Sequence, residues 1–372
     1  MASDVYFANL RARSVEENKS AKIRKLFDRA GFGDLITEGG LTAVKIHFGE
    51  SGSDGFINPV FVRQVVDKIK EHEGKPFLTD SNGVYSGTRH NAVDHLETAI
   101  LHGFAYAVAG APVVIADGIF GENAKNVEIN LKHFQTAKIA GSIVRADSMI
   151  VLTHFKGHMM AGFGGAIKNL AMGCATAAGK REQHVMRFEV DREKCEGCGD
   201  CVEACPQQAV FLKEEKSTIT RENCIGCGEC ATVCPAKAIT PVFGDGDVLG
   251  FTERLAEYAL AAVKDKHGRV GYINFVLNVT PDCDCVPWTD APIVPDIGIL
   301  AAKDPVAIDR AALDLINKAP AVNNTLWGES CQQHDGASDK FKAIWKNSHG
   351  EHQLSYGESI GLGSREYRLI EI

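Results

Sequence analysis

Eight of the twelve cysteines in this chain stand in two runs of identical spacing. Cys195, Cys198, Cys201 and Cys205 precede Pro206, and Cys224, Cys227, Cys230 and Cys234 precede Pro235. Each run reads C-x2-C-x2-C-x3-C-P, and the surrounding text repeats as well, CEGCGDCVEACPQQAV against CIGCGECATVCPAKAI. Three cysteines three residues apart wrap a loop around one iron–sulfur cubane, each thiolate on a different iron, and the cysteine beside proline points away from that loop. Gly197, Gly199, Gly226 and Gly228 permit the tight turns that aim backbone N–H groups at sulfur. A structural zinc site closes with four ligands and does not call for the repeat.

The duplicated run resembles the bacterial two-cluster ferredoxins over residues 189–241. In that pattern Cys195, Cys198, Cys201 and Cys234 hold one [4Fe-4S] cluster, and Cys224, Cys227, Cys230 and Cys205 hold the other. Two clusters in so small a module form a short wire, and a wire needs an end. The rest of a 372-residue chain is a large body to attach to a mere carrier, so the module reads as the redox input or output of a second site. Glu193, Glu196, Asp200, Glu203 and Glu229 lie among the ligands and favour a basic protein as electron donor or acceptor.

The length predicts two or three domains. With 45% hydrophobic and 24% charged residues the composition is that of a globular protein. A net charge of -8 argues against a general nucleic-acid binder. No apolar run reaches membrane-spanning length, and the first residues lack a signal-peptide core. The expectation is a cytoplasmic protein, where cysteines are more often metal ligands than disulfide partners.

Outside the cysteine-rich segment, strand-like runs alternate with amphipathic helical ones. Residues 41–48, 76–80, 111–116 and 147–155 read as strands. Asn58 and Pro59 supply an N-cap and first-turn proline for a helix, and residues 88–103 read as a second helix ended by glycine. After the module, 251–265 reads as a helix, 269–280 as a strand, 293–319 as strand, turn and helix, with a short hairpin near the C-terminus. The fold class is therefore α/β, a mainly parallel-sheet body (1–188 and 242–372) interrupted by an inserted α+β ferredoxin-type domain (189–241).

The densest polar chemistry in the body is THFKGHMMAGFGGAIKNLAMGCATAAGKREQH, residues 153–184. It begins where a strand ends, which is where an open parallel sheet places ligands. Gly162, Gly164 and Gly165 bare the backbone for an anion-binding concavity, and Lys168 follows at a helix start to meet a phosphate or carboxylate. His154, Lys156, His158, Lys180, Arg181 and His184 make the surroundings basic and titratable. Lys45 and His47 share one face of a strand by their alternate spacing. Asp80, Ser81 and Asn82 end the next strand, followed by Tyr85, Thr88, Arg89 and His90. In NVTPDCDCVP, Cys283 and Cys285 are too close for an unstrained disulfide. Their acidic neighbours raise the thiol pKa unless a cation is present. They read as a soft-metal site, a loop docking on the clusters, or free structural thiols.

The segments VKIHFGE, DSNGVYSGTRHNAVDH, KGHMMAGFGGAIKNLAMGC, DCDC and KDPVAID together resemble the family known as domain of unknown function 362, over most of the chain. The resemblance implies architecture more than reaction. The narrower pattern from His158 through Ala161, Gly162, Phe163, Gly164 and Gly165 to Lys168, with His184 beyond, resembles the signature of nickel-pincer lactate racemases. That resemblance implies a proton-transferring His158, a cofactor-bearing Lys168 and a nickel-ligating His184. Gly164 stands where that family usually has serine, and those racemases carry no ferredoxin module.

The leading expectation is thus an iron–sulfur oxidoreductase that moves electrons between a partner and a body site holding an anionic substrate or cofactor. Its site residues are Lys168, His158, His184, Lys45 and His47, with Gly162, Gly164 and Gly165 beside the ligand. A further flavin or metal cofactor in the body is left open. The alternatives are a pure electron carrier whose body docks a partner, and a non-redox enzyme of the pincer-racemase type.

Overall fold

Seven-residue runs in which every side chain is buried, Ser148–His154 and Val270–Val276, are what a sheet covered on both faces requires. The computed structural model describes residues 2–84, 87–184, 187–205, 207–224, 229–242, 245–330 and 339–372. Its central sheet has eight strands: β1 (Ser3–Asn9), β2 (Leu41–Lys45), β3 (Lys75–Asp80), β4 (Val113–Ile115), β5 (Ser148–His154), β6 (Val270–Val276), β7 (Gly298–Ala302) and β8 (Tyr367–Glu371). Their spatial order is β8-β1-β7-β6-β5-β2-β3-β4. Every neighbouring pair is parallel except the two involving β7, which runs against both β1 and β6. The α/β class and the mainly parallel sheet are as the sequence implies.

Alternation along β5 divides the core. Ile150 and Leu152 face one layer, with Ile23, Phe27, Val62, Val65 and Ile69 of the Lys19–Arg29 and Pro59–Glu71 helices. Met149 and Val151 face the other, with Leu170, Leu255, Tyr258, Ile308 and Leu313 of the helices Ala166–Gly173, Asp245–Lys264 and Pro305–Lys318. From β2 the chain steps outward through β3 to β4, then returns to lay β5 on the opposite side of β2. That reversal opens a crevice at the carboxyl ends of β2 and β5, the usual ligand position in open α/β sheets.

The cysteine-rich segment has its own small core of Phe188, Cys201, Val210, Cys230 and Ile239, with Cys205 and Cys234 packed against it. Antiparallel pairing of Arg187–Val190 with Ile239–Val242 closes its base, and Val210–Lys213 pairs with Lys216–Ile219. Among the described residues no helix is long and apolar enough to cross a membrane.

Three local expectations change. The strand expected over 41–48 stops at Lys45. The helix expected from Thr88 begins at Ala92, because Asn91 accepts from the N–H groups of Val93 and Asp94. It then widens into a π-helical turn, Ile100–Phe104, in which Gly103 takes a φ of 89°. In place of a C-terminal hairpin, β8 pairs in parallel with β1, tying the two chain ends into one sheet.

Candidate functional site

Strand ends deliver the first group. Lys45, the last residue of β2, is fully buried, and its Nζ lies 3.1 Å from Asp80 Oδ1 at the end of β3. His47 lies just beyond β2, yet its Nδ1–H still donates to Asp80 Oδ2 at 3.0 Å. Lys45 Nζ also donates to Asn169 Oδ1 at 2.6 Å, and Asn169 Nδ2 donates to Leu152 O and Thr153 Oγ1. The β2–β5 crevice is thus bridged by one amide. Burial opposes the charge on Asp80, but Lys45, His47 and Lys180 outweigh it and hold the carboxyl well below its ordinary range. Burial lowers His47, with Arg89 adding to the effect. Lys180 Nζ donates to the carbonyls of Ser81 and Asn82, and burial brings it down to about 8.

The second group forms where β5 runs out. Lys156–His158 and Gly162–Gly164 pair as a tight hairpin, with Gly162 at a φ of 81°. A side chain at Gly162 would also meet the Gly350 backbone, 2.8 Å from an added Cβ. The helix Ala166–Gly173 then begins, and its first N–H groups are already taken. Asp309 accepts from Ala166 N at 2.7 Å and Ile167 N at 2.9 Å, and also from Asn274 Nδ2 at 2.8 Å. The anion at this helix start is therefore the chain's own carboxylate. Gly165 is glycine because a Cβ there would lie 2.4 Å from Asp309 Oδ1. Burial lifts the Asp309 carboxyl to about 6, against its three hydrogen bonds.

Lys168 is the third residue of that helix, half-buried, with Nζ 3.0 Å from Cys283 Sγ. Cys283 begins a turn closed by Val286 N–H on Cys283 O at 3.1 Å. Asp284 turns away to His154 at 3.0 Å and Lys156 at 3.1 Å. Burial works against its charge, but those two side chains hold it far below the ordinary range. Cys283 departs from the sequence expectation of a raised thiol. A hydrogen bond from Cys285 brings it well below the ordinary thiol value, and Lys168 reinforces this against burial. The cation that the acidic neighbours seemed to lack is Lys168. Cys285 is pushed well above by that same hydrogen bond and by burial, so it keeps its proton. Burial pulls Lys168 down, but the two sulfurs reverse this and its pKa is raised.

His158 and His184 come to the same pocket. Their rings flank Phe251, at centroid distances of 6.2 Å and 5.4 Å. His158 Nδ1 accepts from the N–H groups of Met160 and Ala161, so the proton of the neutral ring sits on Nε2. Burial first, and Lys168 second, put His158 well below its ordinary value. His184 Nδ1–H donates to Lys180 O at 2.8 Å, and burial brings that ring to about 4. Both imidazoles are neutral at physiological pH.

The pocket is less basic than the sequence suggests, since Lys45, Lys156, Lys168 and Arg89 are each matched to Asp80, Asp284, Cys283 and Glu50. Lys45 and His47 belong to the Asp80 group, next to the Lys168 group and not within it. His90 is turned to the surface. Gly164 lies between the stems of Lys156 and Lys168. Asn169 and Asp309 were not singled out from sequence, although a carboxylate on the apolar face of the Pro305–Lys318 helix was a signal that it needs a partner. A separate cavity of about 580 Å³, lined by Lys75, Phe77, Tyr106 and Arg145, lies at the opposite, amino end of β2 and β3. It gathers no such chemistry.

In the cysteine-rich segment the two repeats are built alike. Ala209 N–H donates to Cys205 Sγ at 3.2 Å, and Ala238 N–H donates to Cys234 Sγ at 3.3 Å. Ser217 N–H lies 3.4 Å from Cys195 Sγ and lowers that thiol. Cys198 is exposed and Cys201 buried beside Ser217 Oγ. Cys224 is half-buried and Cys230 lies in the small core. Cys227, with Gly226, Gly228 and Pro206, lies outside the described residues, as do Tyr85 and Cys331. Among the described residues no three His, Cys, Asp or Glu side chains converge as ligands of a single metal ion.

A family model described as "Domain of unknown function (DUF362)" matches residues 42–314. No curated protein matches. Fourteen chains of solved structures do. One is the lactate racemase apoprotein from Thermoanaerobacterium thermosaccharolyticum, at 12% identity and a TM-score of 0.43, with 94% of this chain and 81% of that one covered.

Proposed function

The chain belongs to the DUF362 family, and we propose that it is an iron–sulfur redox protein whose module exchanges electrons with the pocket around Lys168. In this reading Cys195, Cys198, Cys201 and Cys234 hold one [4Fe-4S] cluster, and Cys205, Cys224, Cys227 and Cys230 the other. The residues present suit such groups. Cys201 and Cys230 lie in a small core with Cys205 and Cys234 packed against it, and the N–H groups of Ala209, Ala238 and Ser217 already point at sulfur, the hydrogen bonding that tunes cluster thiolates. A cubane takes one thiolate per iron, so its ligands stand farther apart than those of a single ion. When bound, the clusters supply one-electron transfer.

The observation that carries the reading is where the module is rooted. Its two stems continue into the helix ending at His184 and the helix bearing Phe251, and Arg254 Nε clamps these helices by donating to Gln183 O at 2.7 Å. The helices that flank the module in sequence thus carry His184 and Phe251, and Phe251 meets both His184 and His158. There Lys168, which hydrogen-bonds Cys283, has further N–H donors for an anionic substrate or cofactor. Neutral His158 moves the proton that accompanies electron transfer. A partner protein supplies or removes electrons at the acidic module, in the cytoplasm, where free thiols persist.

Elemental analysis of protein purified without oxygen tests this. About eight irons per chain are expected, the sum of two cubanes, and zinc in place of iron would overturn it. Lys168→Ala should keep the iron and lose turnover. Electron transfer to the physiological acceptor that survives Lys168→Ala would mean a carrier with a docking body instead. A second reading is favoured by the meeting of Lys168, His158 and His184, the trio that resembles the pincer-racemase signature. It requires about one nickel per chain, bound at a site of borderline softness.

A further inference from the structure

The pocket holds two sulfurs that the module does not use. Cys283 and Cys285 sit on a turn fixed from four directions. Gly157 N–H donates to Thr280 O at 2.8 Å, Trp345 Nε1–H to Pro281 O at 2.9 Å, Glu50 N–H to Asp284 O at 3.1 Å, and Val286 N–H to Cys283 O. Gly157 is pressed so closely on this loop that an added Cβ would lie 2.1 Å from Pro281 O. The intervening Asp284 is drawn to the other side by His154 and Lys156. Cys283 Sγ is thereby left 3.0 Å from Lys168 Nζ, with Cys285 two residues on in the same turn.

We propose that Cys283 and Cys285 are a redox-active dithiol, a two-electron couple that the one-electron clusters of the module fill and empty. The inference rests on the redox reading above. In the oxidising direction the Cys285 S–H bond breaks and one Sγ–Sγ bond forms. One proton leaves from Cys285, the half-buried member of the pair, and two electrons pass singly to the two oxidised [4Fe-4S] clusters. In the reducing direction two electrons and one proton cleave the bridge. The product is a Cys283 thiolate on the Lys168 ammonium and a Cys285 thiol.

Three features suit these residues to the task. The turn brings their backbones closer than an extended strand does, so a bridge needs little movement. A bridge across one intervening residue is strained, and strained bridges are the readily reduced, catalytic ones. Lys168 stands 3.0 Å from the Cys283 sulfur, and a cation so placed favours the thiolate, the reactive form in disulfide chemistry. A pocket that carries such a couple turns the single electrons of iron–sulfur clusters into the paired electrons that reduction of an organic substrate takes.

The test uses the full chain purified without oxygen and equilibrated in dithiothreitol redox buffers of stepped potential. Samples are quenched in acid, unfolded and alkylated, and the peptide bearing Cys283 and Cys285 is weighed. The expected result is two labels at the reducing end and none at the oxidising end, with a reversible transition between them. A reductive titration of the oxidised protein should then take up two electrons more per chain than the Cys283→Ser variant, at equal iron content. Two labels at every potential, or equal electron uptake in both proteins, would overturn the couple. Iron content reads the module and label count reads the thiols, so either idea can fail while the other stands.

Discussion

Removing Asp309 gives the sharpest test of how the pocket is held. Asp309 touches neither sulfur nor imidazole. It seats the first turn of the helix that carries Lys168 by accepting from Ala166, Ile167 and Asn274. In Asp309→Ala, loss of the cap costs about 1 kcal/mol, and the orphaned, buried Asn274 amide adds about 1–3 kcal/mol. Relief of the buried charge subtracts from this, so a net loss of about 2 kcal/mol is expected at pH 7. The pH dependence separates this site from an ordinary cap. An exposed capping carboxylate loses strength when protonated. The Asp309 carboxyl is raised to about 6, so between the unfolded value and 6 the native state binds more protons than the unfolded chain. Its stabilising contribution is full below the unfolded pKa and is lost as pH rises through 6. The margin of wild type over Asp309→Ala should therefore widen by about 1 kcal/mol on going from pH 7 to pH 5. Urea unfolding followed by far-UV circular dichroism at the two pH values reads both quantities. A margin that narrows at pH 5, or a loss under about 0.5 kcal/mol at pH 7, would refute the cap.

Gly165→Ala sets a methyl group 2.4 Å from Asp309 Oδ1 and should cost about 1–3 kcal/mol by displacing that cap. The same denaturation curves should show it non-additive with Asp309→Ala, as expected for contacting residues. Cys234→Ser should reduce iron from about eight to about four per chain if, as proposed, this thiolate serves the cluster of the opposite repeat. Iron analysis checks it, and a full complement would break the crossed ligand assignment. Cys283→Ser removes the negative sulfur that raises Lys168 and leaves burial to lower it, so more of the amine is unprotonated and reactive at pH 8. Trace labelling with an amine reagent should show Lys168 labelled faster and Lys180, held near 8 by burial, unchanged.

Local chemistry was legible in the sequence wherever one stretch of chain sufficed. The spacing of β-rich and amphipathic runs announced a parallel α/β body, Asn58 and Pro59 do open a helix, and Lys168 does sit near a helix start. The placement of polar groups at strand ends likewise pointed to the crevice now lined by Lys45, Asp80 and His154. What one sequence does not display is pairing across distance. Lys168 meets Cys283 from 115 residues away, and Asp309 meets Ala166 from 143. Without the first contact the DCDC loop looked like two thiols discouraged by acids. Without the second the helix start after the glycine-rich loop looked open to an external anion, when the N–H groups of Ala166 and Ile167 are met by the chain's own carboxylate. The neutral histidines have the same origin, since burial is a property of the assembled fold and both rings are shaded by Phe251.

The pocket's cations differ in one respect that bears on function. Lys45, Lys156 and Arg89 are matched by carboxylates, whose charge is fixed at physiological pH and indifferent to electrons. Lys168 is matched by a sulfur, whose charge disappears when it enters a disulfide. A buried ion pair is weak evidence for stability, because desolvation offsets much of the attraction, so the cluster is better understood through what its members can change. The three carboxylate pairs form a frame that keeps its charge, and Lys168–Cys283 is the member whose balance follows the redox state. On the proposed dithiol couple, formation of a bridge would leave the Lys168 ammonium without its counter-charge, which an anionic ligand would then supply. Reduction would restore the thiolate, which would compete with that ligand for the same ammonium. Under that proposal, electron supply and anion affinity would be linked through the Lys168 side chain.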